Sequence, residues 1–188
     1  MKKVKIGPTP MVWAHPTTLV GADVDGKPDF AAVAWTGVAA STPPAVSIAL
    51  QHPRYSLKGI RQNQTFSVNI PSRDIVKETD YCGLISGAKT DKVKDCNFKV
   101  FYGKTAHAPL IKQCPINLEC EVRHMLNMGS HMLVIGEVIE THVSEDCLTE
   151  GQPDINKVKP FAFLPGKYHA IGEAFADAFS IGKEIRKV

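Results

Sequence analysis

The chain has 188 residues, the length of one ordinary domain, and we expect a single domain over residues 1–188. Hydrophobic residues make up 44% and charged residues 22%, an average globular composition that excludes wholesale disorder. Lys and Arg exceed Asp and Glu by only 3 (22 against 19) and cluster only at Met1–Lys5, so no nucleic-acid partner is expected. No apolar stretch approaches the ~18 residues of a membrane span and no secretory signal core follows the basic start, which predicts a cytoplasmic protein without a membrane partner.

The cysteines predict neither a disulfide framework nor a metal site. Their number is odd, no C-x-x-C pair occurs, and free cysteine commonly packs as a small hydrophobe. We therefore expect buried or idle thiols at all five positions: Cys82, Cys96, Cys114, Cys120 and Cys147. His124 and His131 face each other across a predicted hairpin, but two histidines without an acidic or thiol ligand are only half a metal site.

Three strands are predicted in the first part of the chain: Thr18–Val24, Phe30–Thr36 and Ala45–Gln51. The first two flank Asp25-Gly26-Lys27-Pro28, whose turn residues indicate a hairpin. Small and apolar residues fill Phe30–Ala40, so either both faces of this run are covered or something packs closely on its backbone. The proline pair Pro43-Pro44 then breaks the chain.

The middle of the chain is predicted as a helix, a strand, a second helix and a polar loop: Ser56–Asn63, Thr65–Ile70, Asp74–Ile85 and Ser86–Cys96. Ser56 is placed as the N-cap of the first helix. In the strand, a period of two directs Ser67 and Asn69 outward. The loop is interpreted as flexible and carries three lysines: Lys89, Lys92 and Lys94.

A long hairpin and a less regular segment complete the chain. Asn117–Met125 and His131–Thr141 are predicted to pair through a turn at Asn127–Ser130. A surface loop, an irregular stretch and a terminal helix are expected to follow: Glu150–Lys159, Phe161–Gly172 and Glu173–Ile185. Six or seven strands with two or three helices favour a mainly β (α+β) fold, a closed β-barrel with a few decorating helices.

Three segments together would form a site for a planar ligand that carries a phosphate. Ala34-Trp35-Thr36-Gly37 ends a strand and offers backbone groups to the edge of a ring. The turn that contains Arg54 and Ser56 offers a guanidinium, a hydroxyl and the free N–H groups of a helix start. The loop from Ser86 to Lys92 could close over the same phosphate. The competing interpretation is that Ser56 only caps a helix and that the lysines are simply solvated.

The order and spacing of these segments resemble the flavin reductase-like, FMN-binding split-barrel family. The motifs that carry the resemblance are F-A-A-V-A-W-T-G before Pro43-Pro44, the arginine/serine turn at 54–56, F-S-V-N at 66–69, C-G-L-I-S-G…D-K at 82–92, and H-M-L-V-I-G-E-V at 131–138. The resemblance covers roughly Gly7 to Gly172, and within the family it is strongest to the flavoredoxins.

The resemblance implies a homodimer of split barrels with one FMN per subunit, held without a covalent bond near the subunit interface. The isoalloxazine would lie against four residues: Ala34, Trp35, Thr36 and Gly37. The phosphate would be held by Arg54, Tyr55, Ser56, Ser86 and Lys92, with Lys89 as a further candidate. Asn69 would reach the ribityl chain, His131 matches a position on the substrate side and is the one catalytic candidate, and Tyr168 would cover the flavin.

The function implied is that of an FMN-dependent oxidoreductase that passes electrons through the flavin, with a redox protein or NAD(P)H as donor. Two alternatives remain open from the sequence: an NAD(P)H:flavin reductase that uses flavin as a diffusible substrate, and a non-catalytic flavin- or haem-binding module. Cys82 is the only cysteine in a matching motif, so a thiol-assisted mechanism is not expected.

Overall fold

The computed structural model describes residues 1–185. Its strands are β1 His15–Pro16, β2 Thr18–Val24, β3 Lys27–Val33, β4 Thr36–Ser41, β5 Pro44–Gln51, β6 Thr65–Ile70, β7 Val100–Phe101, β8 Leu110–Ile111, β9 Ile116–Asn127, β10 His131–Val143, β11 Leu148–Thr149, β12 Gln152–Pro153, β13 Phe161–Leu164 and β14 Lys167–Ala170. Its helices are α1 Tyr55–Asn63, α2 Val76–Leu84, α3 Lys92–Asp95 and α4 Ile155–Val158, with 3₁₀ turns at Arg73–Ile75, Glu145–Cys147 and Ile181–Ile185. None of the described helices is long and apolar enough to cross a membrane.

Seven antiparallel strands form the main sheet, in the order β3-β2-β6-β9-β10-β5-β4. The predicted first hairpin is present, and β2 has the predicted bounds. Its partner begins at Lys27, three residues earlier than predicted, because the turn needs only Asp25 and Gly26, both with positive φ. Pro28 is tolerated inside β3 because this strand lies at the edge of the sheet.

The two outermost strands of this sheet meet at one corner. β3 and β4 are consecutive in the chain and are joined by Ala34 and Trp35, so the strand predicted at Phe30–Thr36 ends at Val33 and the next strand begins at Thr36. The Trp35 carbonyl accepts a hydrogen bond from the Ala49 N–H (2.9 Å), and the Thr18 and Thr36 hydroxyls share another (2.9 Å). The mainly β prediction is confirmed. The barrel is split at this corner rather than closed, because the sheet order ends at β3 and β4.

The main core lies inside the curved sheet, beneath α1. Phe66, Ile48 and Val134 project from three of its strands and are fully buried, and α1 adds Leu57 and Ile60 to the same cluster. Burial of these side chains is worth roughly 1.5–3 kcal/mol each. The burial of Leu57 and Ile60 therefore fixes the position of α1 on the sheet, and with it the position of the N-terminus of this helix.

Asn69 does not face outward to solvent, so that prediction is wrong. Its amide donates to the Leu19 carbonyl (2.9 Å) and accepts from the Ile111 N–H (3.0 Å) and from Asn117 (2.7 Å). The outer face of β6 is covered by the segment 98–115, in which the Pro109 carbonyl accepts from Ser67. The alternation predicted the two faces correctly, but both of them are buried.

The C-terminal part of the chain differs most from the prediction. The stretch Phe161–Gly172 is a hairpin rather than irregular, since β13 and β14 pair around Pro165-Gly166. The predicted loop Glu150–Lys159 contains β12 and α4. The predicted helix Glu173–Ile185 is wrong: only the 3₁₀ turn at Ile181–Ile185 forms, and Phe175 and Phe179 are almost wholly exposed. A helix this short has no stability without a packed apolar face.

Candidate functional site

A flat aromatic wall lines a cleft of about 430 Å³ at the split corner. The Trp35 and His131 rings stack with centroids 4.4 Å apart and planes inclined by 30°. The Ser130 hydroxyl lies 2.8 Å from His131 Nδ1 and fixes the ring orientation. Ala34 and Phe163 also line this ring cleft. A mostly apolar slot of this volume with an aromatic wall suits a planar heterocycle.

Arg54 joins this ring cleft to a smaller cleft of about 190 Å³, because the same residue lines both. The side chain is half-buried, and Nη1 donates to the Gly83 carbonyl (2.7 Å). Tyr55 and Ser86 line the smaller cleft as well. Arg54, Tyr55 and Ser86, three of the residues predicted to hold a phosphate, therefore line one cleft.

The helix start beside Arg54 has the properties of an anion site. Arg54 is the N-cap of α1, no side chain caps the helix, and its first turn holds no acidic residue. The N–H groups of Tyr55 and Ser56 have no carbonyl partner within the helix, as in any first turn. These donors, the helix dipole and the guanidinium favour an anionic group at this end of the cleft.

Ser56 is not the N-cap, so that prediction is wrong. The helix begins at Tyr55, and Ser56 lies in its first turn, fully buried. Its hydroxyl has no hydrogen-bond partner among the described residues. An unpaired buried hydroxyl is destabilising by roughly 1–3 kcal/mol, so a donor left free beside uncapped N–H groups fits an oxyanion ligand.

Lys92 is not a flexible loop cation, and this prediction is also wrong. It begins the short helix α3, and its ammonium group donates to the Phe30 carbonyl (2.6 Å), to Asp29 (3.2 Å) and to the Cys82 carbonyl (3.4 Å). Burial raises the pKa of Asp29, and the charges of Lys92 and Arg54 partly offset that effect. All three ammonium hydrogens are committed. Lys92 therefore supports the floor of the smaller cleft by tying β3 to α2 and is not free to hold a phosphate.

The loop after α2 is pinned rather than mobile. A side chain at Gly87 would collide with the Asp29 carboxylate and approach the Tyr55 ring to 3.0 Å, so only glycine fits there. The Ser86 hydroxyl accepts from the Ala88 N–H (3.3 Å). Lys89 is exposed and lines neither of the two clefts.

Three other predicted site residues lie outside these clefts. Thr36 is at the corner and is engaged with Thr18, and Gly37 is exposed on β4. Tyr168 does not cover the cleft. It packs behind Phe163, with ring centroids 6.0 Å apart, and donates to Asp80 on α2 (2.7 Å).

Sequence reasoning missed six of the ten residues that line the ring cleft, among them Phe163 and Gln51. Phe163 lies in the stretch predicted to be irregular, yet F-A-F-L before Pro165-Gly166 is a strand followed by a turn dipeptide. Reading that signal as a hairpin would have placed its aromatic residues on a sheet.

A third cleft, of about 670 Å³, is larger but less suited to an anion. It lies on the other side of Tyr55 and is lined by three carboxylates, Asp25, Asp29 and Asp91, against one lysine, Lys27. Its charge opposes a phosphate, so an anion would be more stable beside Arg54.

Fold and cleft together define a class of protein: a split β-barrel with an elongated cleft, flat and aromatic at one end and anion-binding at the other. The family model of the flavin reductase like domain matches residues 12–172. The chain therefore belongs to the flavin reductase-like family, and the resemblance seen in its sequence is confirmed.

Similar structures extend over nearly the whole chain. The flavoredoxin from Methanosarcina acetivorans has a TM-score of 0.94 and 37% sequence identity, covering 98% of this chain and 100% of that chain. The flavoredoxin of Desulfovibrio vulgaris (Miyazaki F) has a TM-score of 0.89 and 36% identity, covering 97% and 100%. An uncharacterized protein of Archaeoglobus fulgidus is 32% identical over 141 residues, covering 74% of this chain and 78% of its own length.

Proposed function

We propose that this protein binds FMN without a covalent bond and passes electrons through it. The observation that carries the proposal is Arg54, which lines both the ring cleft and the smaller cleft at the start of α1. A ring and its phosphate can thus occupy one continuous site. The similarity to two flavoredoxins at more than a third identity supports the same class of function.

The residues present fit FMN at both ends. Trp35, His131 and Phe163 would hold the isoalloxazine, and Arg54 with the first turn of α1 would hold the phosphate. The unpaired Ser56 hydroxyl is the observation that tests this fit, because a phosphate oxygen there would give it a partner. When bound, FMN supplies the redox chemistry: it takes up two electrons and releases them singly.

The protein's own groups would bind and orient the flavin and would exclude water from it. The ten described residues that line the ring cleft include no carboxylate and one cation, Arg54. This charge balance favours negative charge in the cleft, which stabilises a reduced ring over an oxidised one. His131 is the only imidazole in that lining and the one group there suited to moving a proton.

Cysteine chemistry is not part of the proposal. Cys82 and Cys120 are fully buried, and burial raises the pKa of both thiols, for Cys120 to about 12. Little thiolate exists at neutral pH, so these residues pack rather than react.

The proposal includes a homodimer, supported by apolar side chains that the single chain leaves exposed. Val12 and Trp13 precede β1, Val38 lies on the exposed strand β4, and Phe175 and Phe179 follow β14. Large exposed apolar side chains mark an interface where they form one contiguous patch, which a second subunit would bury. Sedimentation should give about 41 kDa, twice the subunit mass of 20.5 kDa, at micromolar concentration. A 20.5 kDa species there would refute the dimer.

Anaerobic stopped-flow reduction tests the electron-transfer role. Protein loaded with FMN and then dialysed should keep its flavin absorbance and be bleached rapidly by reduced methyl viologen, a one-electron donor. NADH and NADPH should act far more slowly. Loss of the flavin on dialysis, together with rapid turnover of added flavin by either nucleotide, would instead establish a flavin reductase.

A further inference from the structure

The ring cleft lies between two different sheets. Trp35 and His131 belong to the corner of the main sheet, whereas Phe163 lies on β13 in a small sheet of order β1-β13-β14. In this small sheet β1 has only two residues, and β14 is exposed along its whole length. The position of the Phe163 wall therefore depends on what holds the hairpin β13–β14 to the rest of the protein.

The base of this hairpin is attached beside the start of α2. The Lys159 carbonyl accepts a hydrogen bond from the Arg73 N–H (2.9 Å), and the Lys159 ammonium group forms an ion pair with Asp74 (3.3 Å). After β14, residues 171–180 form neither helix nor strand. A restraint on the β14 side must therefore come from side chains of the hairpin itself.

Tyr168 on β14 supplies such a restraint. It stands opposite Phe163 in the register of the hairpin, and its hydroxyl donates to Asp80 Oδ1 on α2 (2.7 Å). Among residues 1–185, this is the only hydrogen bond that a side chain of the hairpin forms with the rest of the protein, and we call it the latch. Partial burial and the Asp80 carboxylate raise the pKa of Tyr168, so the hydroxyl stays protonated and remains the donor.

The Tyr168 ring transmits the latch to the wall of the cleft. It packs edge-on against Phe161, with centroids 5.4 Å apart and planes at 89°, and against Phe163, at 6.0 Å and 61°. Phe161 and Phe163 point to the same face of β13 because they are two residues apart. Edge-to-face contacts between aromatic rings are directional. Asp80 therefore fixes Tyr168, and Tyr168 fixes the ring that forms the wall.

We propose that Tyr168 and Asp80 are positioning residues that hold Phe163 against the flavin and thereby set how long the flavin stays bound. The inference rests on the proposed function, since it requires flavin in the ring cleft. The latch acts on the ring end of the site and not on the phosphate end at Arg54. Slow release is what separates a resident cofactor from a diffusible flavin substrate, so the latch favours the resident state.

The test measures flavin release from full-length protein loaded with FMN or riboflavin. Excess 5-deaza-FMN displaces the bound flavin, and the fluorescence of the released flavin gives the dissociation rate. Tyr168→Phe keeps the ring and removes the donor, Asp80→Ala removes the acceptor, and Asp80→Asn keeps an acceptor oxygen. Tyr102→Phe is the matched control, because Tyr102 donates to Asp23 over the same 2.7 Å and lines neither the ring cleft nor the smaller cleft.

We expect Tyr168→Phe and Asp80→Ala each to release both flavins about fivefold faster, because one hydrogen bond is lost. Asp80→Asn and Tyr102→Phe should stay within about twofold of the wild type. Phe163→Ala should itself release flavin faster. Adding Tyr168→Phe to that variant should then have no further effect, because the latch acts through the Phe163 ring.

Unchanged release from Tyr168→Phe would overturn the proposal, as would an equal acceleration by Tyr102→Phe. An effect of Tyr168→Phe that persists in Phe163→Ala protein would show that the latch does not act through that ring. Faster release of FMN but not of riboflavin would place the effect at the phosphate end and would also overturn it.

Amide hydrogen exchange of the ligand-free protein tests the latch without flavin. Tyr168→Phe should lower the protection of Phe161–Leu164, and Tyr102→Phe should not. Unchanged protection would overturn the latch whatever the flavin rates. Failure of the wild-type protein to bind FMN at all would instead defeat the proposed function, and hydrogen exchange would still decide whether Tyr168 holds the hairpin.

Discussion

Arg54→Ala should separate the phosphate end of the site from the ring end. A hydrogen bond between a guanidinium and a phosphate oxygen is worth about 1.5–3 kcal/mol, and each 1.4 kcal/mol is tenfold in affinity. The variant should therefore bind FMN about 10- to 150-fold more weakly. Riboflavin has the same ring without the phosphate, so its affinity should change by no more than about twofold.

Fluorescence titration with both flavins measures these constants directly. Arg61→Ala is the matched control, because it removes a guanidinium from the same helix at a residue that lines neither part of the proposed FMN site. Arg54 also donates to the Gly83 carbonyl, so its loss could displace the loop after α2. Equal losses of FMN and riboflavin affinity would show that Arg54 acts only through that loop and would refute the phosphate assignment.

Three further changes probe the site and its support. Ser56→Ala should raise the melting temperature of the ligand-free protein, because it removes a buried hydroxyl that has no partner, yet weaken FMN about tenfold in the same titration; unchanged FMN affinity would contradict the role given to the hydroxyl. Lys92→Met should destabilise the fold by about 3–5 kcal/mol in urea unfolding, because Asp29 is left buried without its partner; a loss below about 1 kcal/mol would show that the pair is dispensable. Burial opposes ionisation of Glu119, but hydrogen bonds from His142 and from the Thr105 and Lys104 backbone outweigh it and hold its pKa below the ordinary 4.5. The stability that ionised Glu119 provides is therefore complete above pH 4.5 and is lost as the pH falls through the lower pKa of the folded state. Below pH 4.5 the melting temperature of Glu119→Gln should therefore vary less with pH than that of the wild type. Identical profiles of melting temperature against pH would contradict this.

Local signals predicted the elements whose conformation is decided locally. Asp25-Gly26 adopts the positive φ values of a tight hairpin turn, and β2 ends where the sequence indicated. Arg54 was identified because a guanidinium before a helix start is an anion-binding pattern whatever surrounds it. The order of motifs then supplied the family, which the comparisons confirm.

The wrong predictions concern residues whose environment comes from distant parts of the chain. Asn69 alternates as an outward residue, but the segment 98–115, whose own pattern carries no period, covers that face. Lys92 lies in a polar segment whose composition is typical of a solvated loop. Only the fold brings Asp29 and the Phe30 carbonyl to its ammonium group. Tertiary contacts of this kind leave no periodic signal in one sequence.

The helix predicted at the end of the chain is wrong for the opposite reason: a clear periodic pattern is present, but the contacts that a helix would need are missing. Phe175 and Phe179 are spaced as on one face of a helix, so the pattern predicts α-helix over Glu173–Ile185. Within the described chain both rings are exposed, and no surface packs against that face. Periodicity predicts a helix only where a partner surface buries it.

A crystal structure of the FMN complex tests the central claim most directly. We predict the isoalloxazine in the ring cleft between Trp35 and Phe163, with the phosphate within hydrogen-bond distance of the Arg54 guanidinium and the N–H groups of Tyr55 and Ser56. Density for the phosphate at Lys89, or in the carboxylate-lined cleft beyond Tyr55, would contradict the account.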